Sequence, residues 1–131
     1  MRQIICVILM ILVMPLAGCE TAAESERTHT KITPQQAQAM MAQSDINIII
    51  LDVRTQEEFR SGHIPGAILL PGDEILARAG YLIPDLDQII LVYCRSGARS
   101  NVAALALVEL GYTAVYDFGG IIDWIGEVVR G

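Results

Sequence analysis

Cys94, Arg95 and Arg99 fall within one six-residue segment, Cys94-Arg95-Ser96-Gly97-Ala98-Arg99. The thiolate is the nucleophilic form of cysteine. A helix N-terminus or a nearby guanidinium lowers a thiol pKa from about 8.5 towards roughly 3.5 to 7.5. The same positive groups attract an anion, so the segment offers a nucleophile and a seat for a negatively charged target. An inert buried cysteine is the plain alternative, and two arginines within five residues argue against it.

Such a site needs a strand to deliver the cysteine and a helix to receive the loop. Gln88 to Tyr93 is an apolar, β-branched run that reads as the strand, and Arg99 to Leu110 reads as the helix, closed by Gly111. Asn47 to Val53 has the continuous apolar pattern of a strand buried on both faces. Thr33-Pro34 opens a helix through Gln43, and Thr55-Gln56-Glu57-Glu58 has capping-box spacing for a short helix ending by Gly62. Ala67 to Leu70 is predicted as a brief strand between two Pro-Gly turns and Asp73 to Ala79 as a helix. Thr113 to Asp117 is predicted as a strand and Gly120 to Val129 as a final helix. Strands alternating with helices imply an α/β fold with a parallel sheet covered on both faces, whose ligands sit at the carboxyl ends of the strands. Cys94 falls at such an end.

The segment Cys94 to Arg99, followed by Ser100, resembles the active-site loop of the rhodanese (thiosulfate sulfurtransferase) family. Asp52-Val53-Arg54, Glu58-Phe59 and Gly62-His63-Ile64 with Gly66-Ala67 are similar to a second signature of that family. Phe118-Gly119-Gly120 with Trp124 resembles its C-terminal stretch, except that Ile121 stands where an aromatic often follows the two glycines. The resemblance runs from about Thr33 to Gly131. Read without it, Asp52 and Arg54 form a strand-end ion pair, Glu57 and Glu58 a solvated helix face, and His63 a hydrogen-bonded structural residue.

The resemblance implies a rhodanese-like α/β domain in which Cys94 accepts a sulfane sulfur from thiosulfate or a similar anion and becomes a persulfide. A thiol or other thiophilic acceptor then takes the sulfur, in a ping-pong cycle. Backbone N–H groups of Arg95, Ser96, Gly97, Ala98 and Arg99 would form a nest around the sulfur at a helix N-terminus. Ser96 adds a hydroxyl and Gly97 permits the tight curl. Arg95 and Arg99 would neutralise the donor's oxyanion end, at about 1.5 to 3 kcal/mol for each charge-assisted bond. Neither a metal ion nor a cofactor is expected. Phosphatase or arsenate-reductase chemistry is the nearest rival. The related cell-cycle phosphatases have one more residue between cysteine and arginine, however, and the four residues here suit a sulfur atom better than a tetrahedral phosphate. A domain that carries persulfide for a partner, with little turnover, is the other alternative.

The rest of the chain sets the context. Its 131 residues, 53% hydrophobic, suit one domain with a substantial core. Met1-Arg2-Gln3 precedes an apolar run from Ile4 to Gly18, too short for a membrane-spanning helix but suited to a secretion signal. The run ends in Leu16-Ala17-Gly18-Cys19, which resembles the bacterial lipoprotein box. This predicts a signal peptide over residues 1–18, lipidation of Cys19, a flexible tether over 19–31 and the folded domain over 32–131. It places the chain in a bacterial cell envelope, lipid-anchored and facing the periplasm or exterior. His29 is then a solvated tether residue. Cys6 would leave with the signal and Cys19 carry lipid, making Cys94 the lone free thiol of an exported domain. In such proteins cysteines are ordinarily paired, so a single one suggests reactivity. The net charge of −6, made one unit more negative by loss of Arg2, disfavours nucleic acid as a partner.

Overall fold

The computed structural model describes residues 27–131. Five parallel strands form one sheet: β1 (Thr30–Lys31), β2 (Ile48–Asp52), β3 (Ile68–Leu69), β4 (Ile89–Cys94) and β5 (Ala114–Gly120), in the order β1-β5-β4-β2-β3. Four helices connect and cover them: α1 (Pro34–Met41), α2 (Gln56–Ser61), α3 (Ile75–Leu82) and α4 (Ala98–Glu109).

The predicted caps are the ones that form. Thr33 and Gln36 exchange side-chain-to-backbone bonds at the start of α1, and Thr55 and Glu58 do the same at α2. Such a cap stabilises a helix start by about 1 kcal/mol, which matters for α2, six residues long with none of them buried.

The two-residue period of β4 divides the core. Ile90, Val92 and Cys94 turn to one face, where they pack with Leu51, Ile75, Ala79, Ala103 and Leu107. Leu91 and Tyr93 turn to the other, against Ala37, Ile64 and Phe118. Continuous apolar sequence in β4 is therefore the mark of a central strand with both faces covered. A register shift between Val92 and Cys94 against β5 ends the regular ladder just before the loop; such irregularities often adjoin functional sites.

Three expectations are corrected. Gly120 to Val129 is not a helix: it forms a short 3-10 turn, Ile121–Asp123, and then an extended tail. The Trp124 indole N–H donates to the Glu127 carbonyl at 3.1 Å, and His63 and Val129 exchange two backbone bonds of 2.9 Å, so these groups are used outside a helix. The region expected as tether contributes β1 at its end, paired to Tyr116 and Asp117. His29 is not solvated. Its side chain is only 6% exposed, with Nε2 3.9 Å from Asp117 Oδ2. Elsewhere the differences are at boundaries: α1 stops at Met41, and the Asp73 segment begins as a 3-10 turn before α3.

Candidate active site

β4 ends at Cys94 and α4 begins at Ala98, so Arg95, Ser96 and Gly97 make the whole connection. Gly97 sits at φ +107, a left-handed conformation that side chains resist, and its N–H donates to Cys94 Sγ at 3.0 Å. No side chain caps α4. The sulfur instead sits at this helix start, on the Gly97 N–H, where the helix dipole favours negative charge. The thiol is 1% exposed. Burial pushes its pKa up, but the Ser100 hydroxyl and the N–H groups of Ser100, Gly97 and Ser96 outweigh that and hold it below the ordinary value.

The other loop residues are distributed unevenly. Arg95, Ser96 and Ala98 are exposed. Arg99 is half-exposed and already engaged: Nη1 and Nη2 donate to the two oxygens of Glu58, each at 2.8 Å. This corrects the reading of Glu58 as part of a solvated face. The Arg99 bond pulls the Glu58 carboxyl down to about 2. Glu58 Oε2 also accepts from Thr55 N, so one carboxylate caps α2 and holds the arginine of the loop.

Ser100, next in sequence after the loop and outside the expected set of site residues, is fully buried. Its hydroxyl lies 2.7 Å from Asp117 Oδ1, 3.0 Å from the Gly97 carbonyl and 3.3 Å from the Gly119 carbonyl. Asp117 Oδ1 also accepts from the Gly119 N–H at 2.9 Å. The glycine pair itself fits against the loop. A methyl group on Gly120 would run into the Arg95 carbonyl, to which Ile122 N–H donates at 3.3 Å. Nothing in the sequence spacing signalled this close approach or the Asp117–Ser100 pair.

Below the site, Asp52 and Arg54 are buried and form the expected pair, with Nη2 to Oδ2 at 2.7 Å. Tyr93 donates its hydroxyl to the same Oδ2 at 2.7 Å and accepts from Ile64 N–H, while Arg54 reaches the Gly62 carbonyl at 2.6 Å. Burial raises the Tyr93 phenol, which stays protonated. His63 is structural as expected, with Nδ1 2.8 Å from the Phe59 carbonyl and its ring stacked on Phe59. A cleft of about 650 Å³ opens beside the loop, lined by Val53, Pro71, Ala98, Arg99 and Val102 among others. The buried sulfur does not line it.

The profile of the rhodanese-like domain matches residues 33–127. The chain belongs to the rhodanese-like family. It is 37% identical over 81 residues to thiosulfate sulfurtransferase PspE of Escherichia coli, covering 62% of this chain and 78% of that one. Against thiosulfate sulfurtransferase GlpE of Pseudomonas savastanoi it is 37% identical over 93 residues, covering 69% and 80%. Among solved structures, one described as a rhodanese with anions from E. coli superposes with a TM-score of 0.61 at 36% identity, covering 64% of this chain and 99% of that one. The five-stranded parallel sheet with its flanking helices is thus the rhodanese-like α/β fold, and the enzyme class is rhodanese-type sulfurtransferase.

Proposed function

We propose that Cys94 is the sulfur-carrying nucleophile, that thiosulfate or a similar sulfane anion is the donor, and that a thiol is the acceptor. The observation that carries this reading is the 3.0 Å bond from Gly97 N–H to Cys94 Sγ at the uncapped start of α4. That arrangement favours an anionic sulfur and, with one bound to it, an anionic persulfide. The names of the relatives agree with it.

In the first half-reaction the Cys94 thiolate attacks the outer sulfur of the donor. A new sulfur–sulfur bond forms, the donor's own breaks, and its electron pair leaves on sulfite. The acceptor thiolate then attacks the outer sulfur of the persulfide, and the Cys94–sulfur bond pair returns to Cys94 as thiolate. Arg95, exposed on the loop, offsets the donor's charge. Arg99 does so to the extent that Glu58 leaves its field uncancelled. Cys94 is the one free cysteine among the described residues; with Cys6 cleaved off and Cys19 lipidated, as proposed below, an outside acceptor resolves the persulfide.

The full chain mixed with thiosulfate is expected to gain one sulfur atom on Cys94 by mass and to release one sulfite per site. Addition of a thiol should discharge it. No gain of mass, or an equal gain in Cys94→Ser, overturns the assignment.

We further propose that Cys19 carries lipid and fixes the domain to an envelope membrane, facing the periplasm or exterior. Residues 1–18, their cleavage and Cys19 lie outside the described residues. The support is the order of charge, apolar run, small residues and cysteine in the sequence. Among the described residues no helix is long and apolar enough to cross a membrane.

A further inference from the structure

The cleft beside the loop takes its walls from three segments that meet at the carboxyl ends of the strands. They are Val53 to Thr55 after β2, Pro71 to Asp73 after β3, and the first turns of α4. Ligands of parallel sheets sit at such ends. Its volume of about 650 Å³ falls among small-molecule sites, which are roughly 300 to 1,000 Å³. Ala98 and Arg99 line it, and Gly97 just before them donates to Cys94 Sγ, so cleft and sulfur share one stretch of backbone. On the other side, Gly119 and Gly120 of β5 lie so close to Gly97 and Arg95 that Gly120 has no space for a side chain. The sheet order puts β2 and β3 across β4 from β5, so the cleft lies on the side of the loop away from that packing.

The lining is apolar, and most of its polar groups are already engaged. Val53, Pro71, Ala98, Val102 and Ala103 supply carbon surface. Val102 is 66% exposed on α4, an apolar side chain that the core does not use. Arg54 is tied to Asp52 and to the Gly62 carbonyl, and Arg99 to Glu58. Thr55 Oγ1 accepts from Glu58 N–H. Asp73 is the one lining charge without an ion-pair partner among the described residues, and a carboxylate repels an anionic occupant. An uncharged hydrocarbon body gains by leaving water for these walls.

We propose that this cleft seats the acceptor, and that the acceptor is a low-molecular-weight thiol with an uncharged, apolar body. The inference rests on Cys94 carrying the transferred sulfur. In the persulfide the outer sulfur stands about 2 Å from Sγ, so the atom attacked is not the buried Sγ itself. The acceptor thiolate bonds to that outer sulfur, the bond from it to Cys94 breaks, and the electron pair returns to Cys94 as thiolate. The product is the acceptor's own persulfide, and no oxidant or reductant enters. Donor and acceptor then use different groups. The anion meets exposed Arg95 and the loop amides, and the acceptor meets the carbon surface beside them.

The test loads the full chain with thiosulfate, removes the excess, and follows discharge by ethanethiol, propanethiol and butanethiol, with rates compared per thiolate. Each methylene that the cleft takes from water should raise the second-order rate about fourfold. Mercaptopropionate, in which a carboxylate replaces the methyl of propanethiol, should be slower than propanethiol. Val102→Gln sets an uncharged amide on an exposed wall position and should flatten the series, slowing butanethiol most and ethanethiol least. Rates independent of chain length in the wild type overturn the proposal. So does a series equally steep in Val102→Gln, or mercaptopropionate as fast as propanethiol. A second readout needs no reaction: in Cys94→Ser, butanethiol should shift the methyl NMR signals of Val53 and Val102, and unmoved signals overturn the assignment of the cleft. Failure of the wild type to load while those signals move overturns the proposed reaction and leaves the seat for an apolar thiol standing.

Discussion

Arg99 and Glu58 meet through two parallel hydrogen bonds of 2.8 Å, although 41 residues separate them in the chain. The pair ties the first turn of α4 to the first turn of α2, so the loop around Cys94 is braced from outside the sheet. It also means that the loop's second arginine meets an incoming anion with its charge partly offset.

Glu58→Gln separates these effects, because glutamine still serves the capping box. The freed guanidinium should lower the Km for thiosulfate several-fold with a smaller change in kcat. Steady-state kinetics with varied thiosulfate checks this; a raised Km would show that the carboxylate orients Arg99 productively.

The same pair gives a pH dependence. The folded Glu58 carboxyl lies at about 2 against an ordinary 4.5. A depressed pKa contributes stability that is full above the ordinary value and is lost as pH falls towards about 2. Wild type should therefore exceed Glu58→Gln in unfolding free energy near neutrality, by no more than about 1 kcal/mol for an exposed pair. The difference should shrink as pH drops through that window. Denaturant unfolding at several pH values measures it.

Cys94 is held below the ordinary thiol range in spite of burial. Its alkylation by iodoacetamide should therefore reach half its limiting rate at lower pH than a free cysteine does. A profile centred at or above that of free cysteine would contradict the role assigned to the loop amides.

Gly120 has no room for a side chain against the Arg95 carbonyl. Gly120→Ala must displace either the loop or β5, and overpacking of this kind costs about 1 to 3 kcal/mol. We expect a lower Tm together with a higher Cys94 midpoint, since the displaced loop carries the amides that stabilise the thiolate.

Asp52 accepts from Arg54 and Tyr93 where both it and the guanidinium are buried. Asp52→Ala leaves a buried cation unpaired, which costs about 3 to 5 kcal/mol. Thermal unfolding should show a large fall in Tm, and Asp52→Asn a smaller one.

The sequence by itself determined the elements that deliver Cys94. A β-branched run, a glycine that permits a tight curl and a helical stretch closed by Gly111 are local features, and local rules read them. The helix start at Thr33-Pro34 and the capping box at Thr55 were legible for the same reason. Asp52 with Arg54 was legible because the partners carry opposite charges and stand two residues apart at the end of β2. The final helix was misread because Trp124 and Val129 take their bonds from Glu127 and from distant His63, which propensity does not see. Only the tertiary structure decided the rest. It brought Glu58 to Arg99 and Asp117 to Ser100, and set His29 against Asp117, because parallel strand order places residues far apart in sequence at one end of the sheet. Cys94 and its loop are a property of the segment; the groups packed around them are a property of the fold.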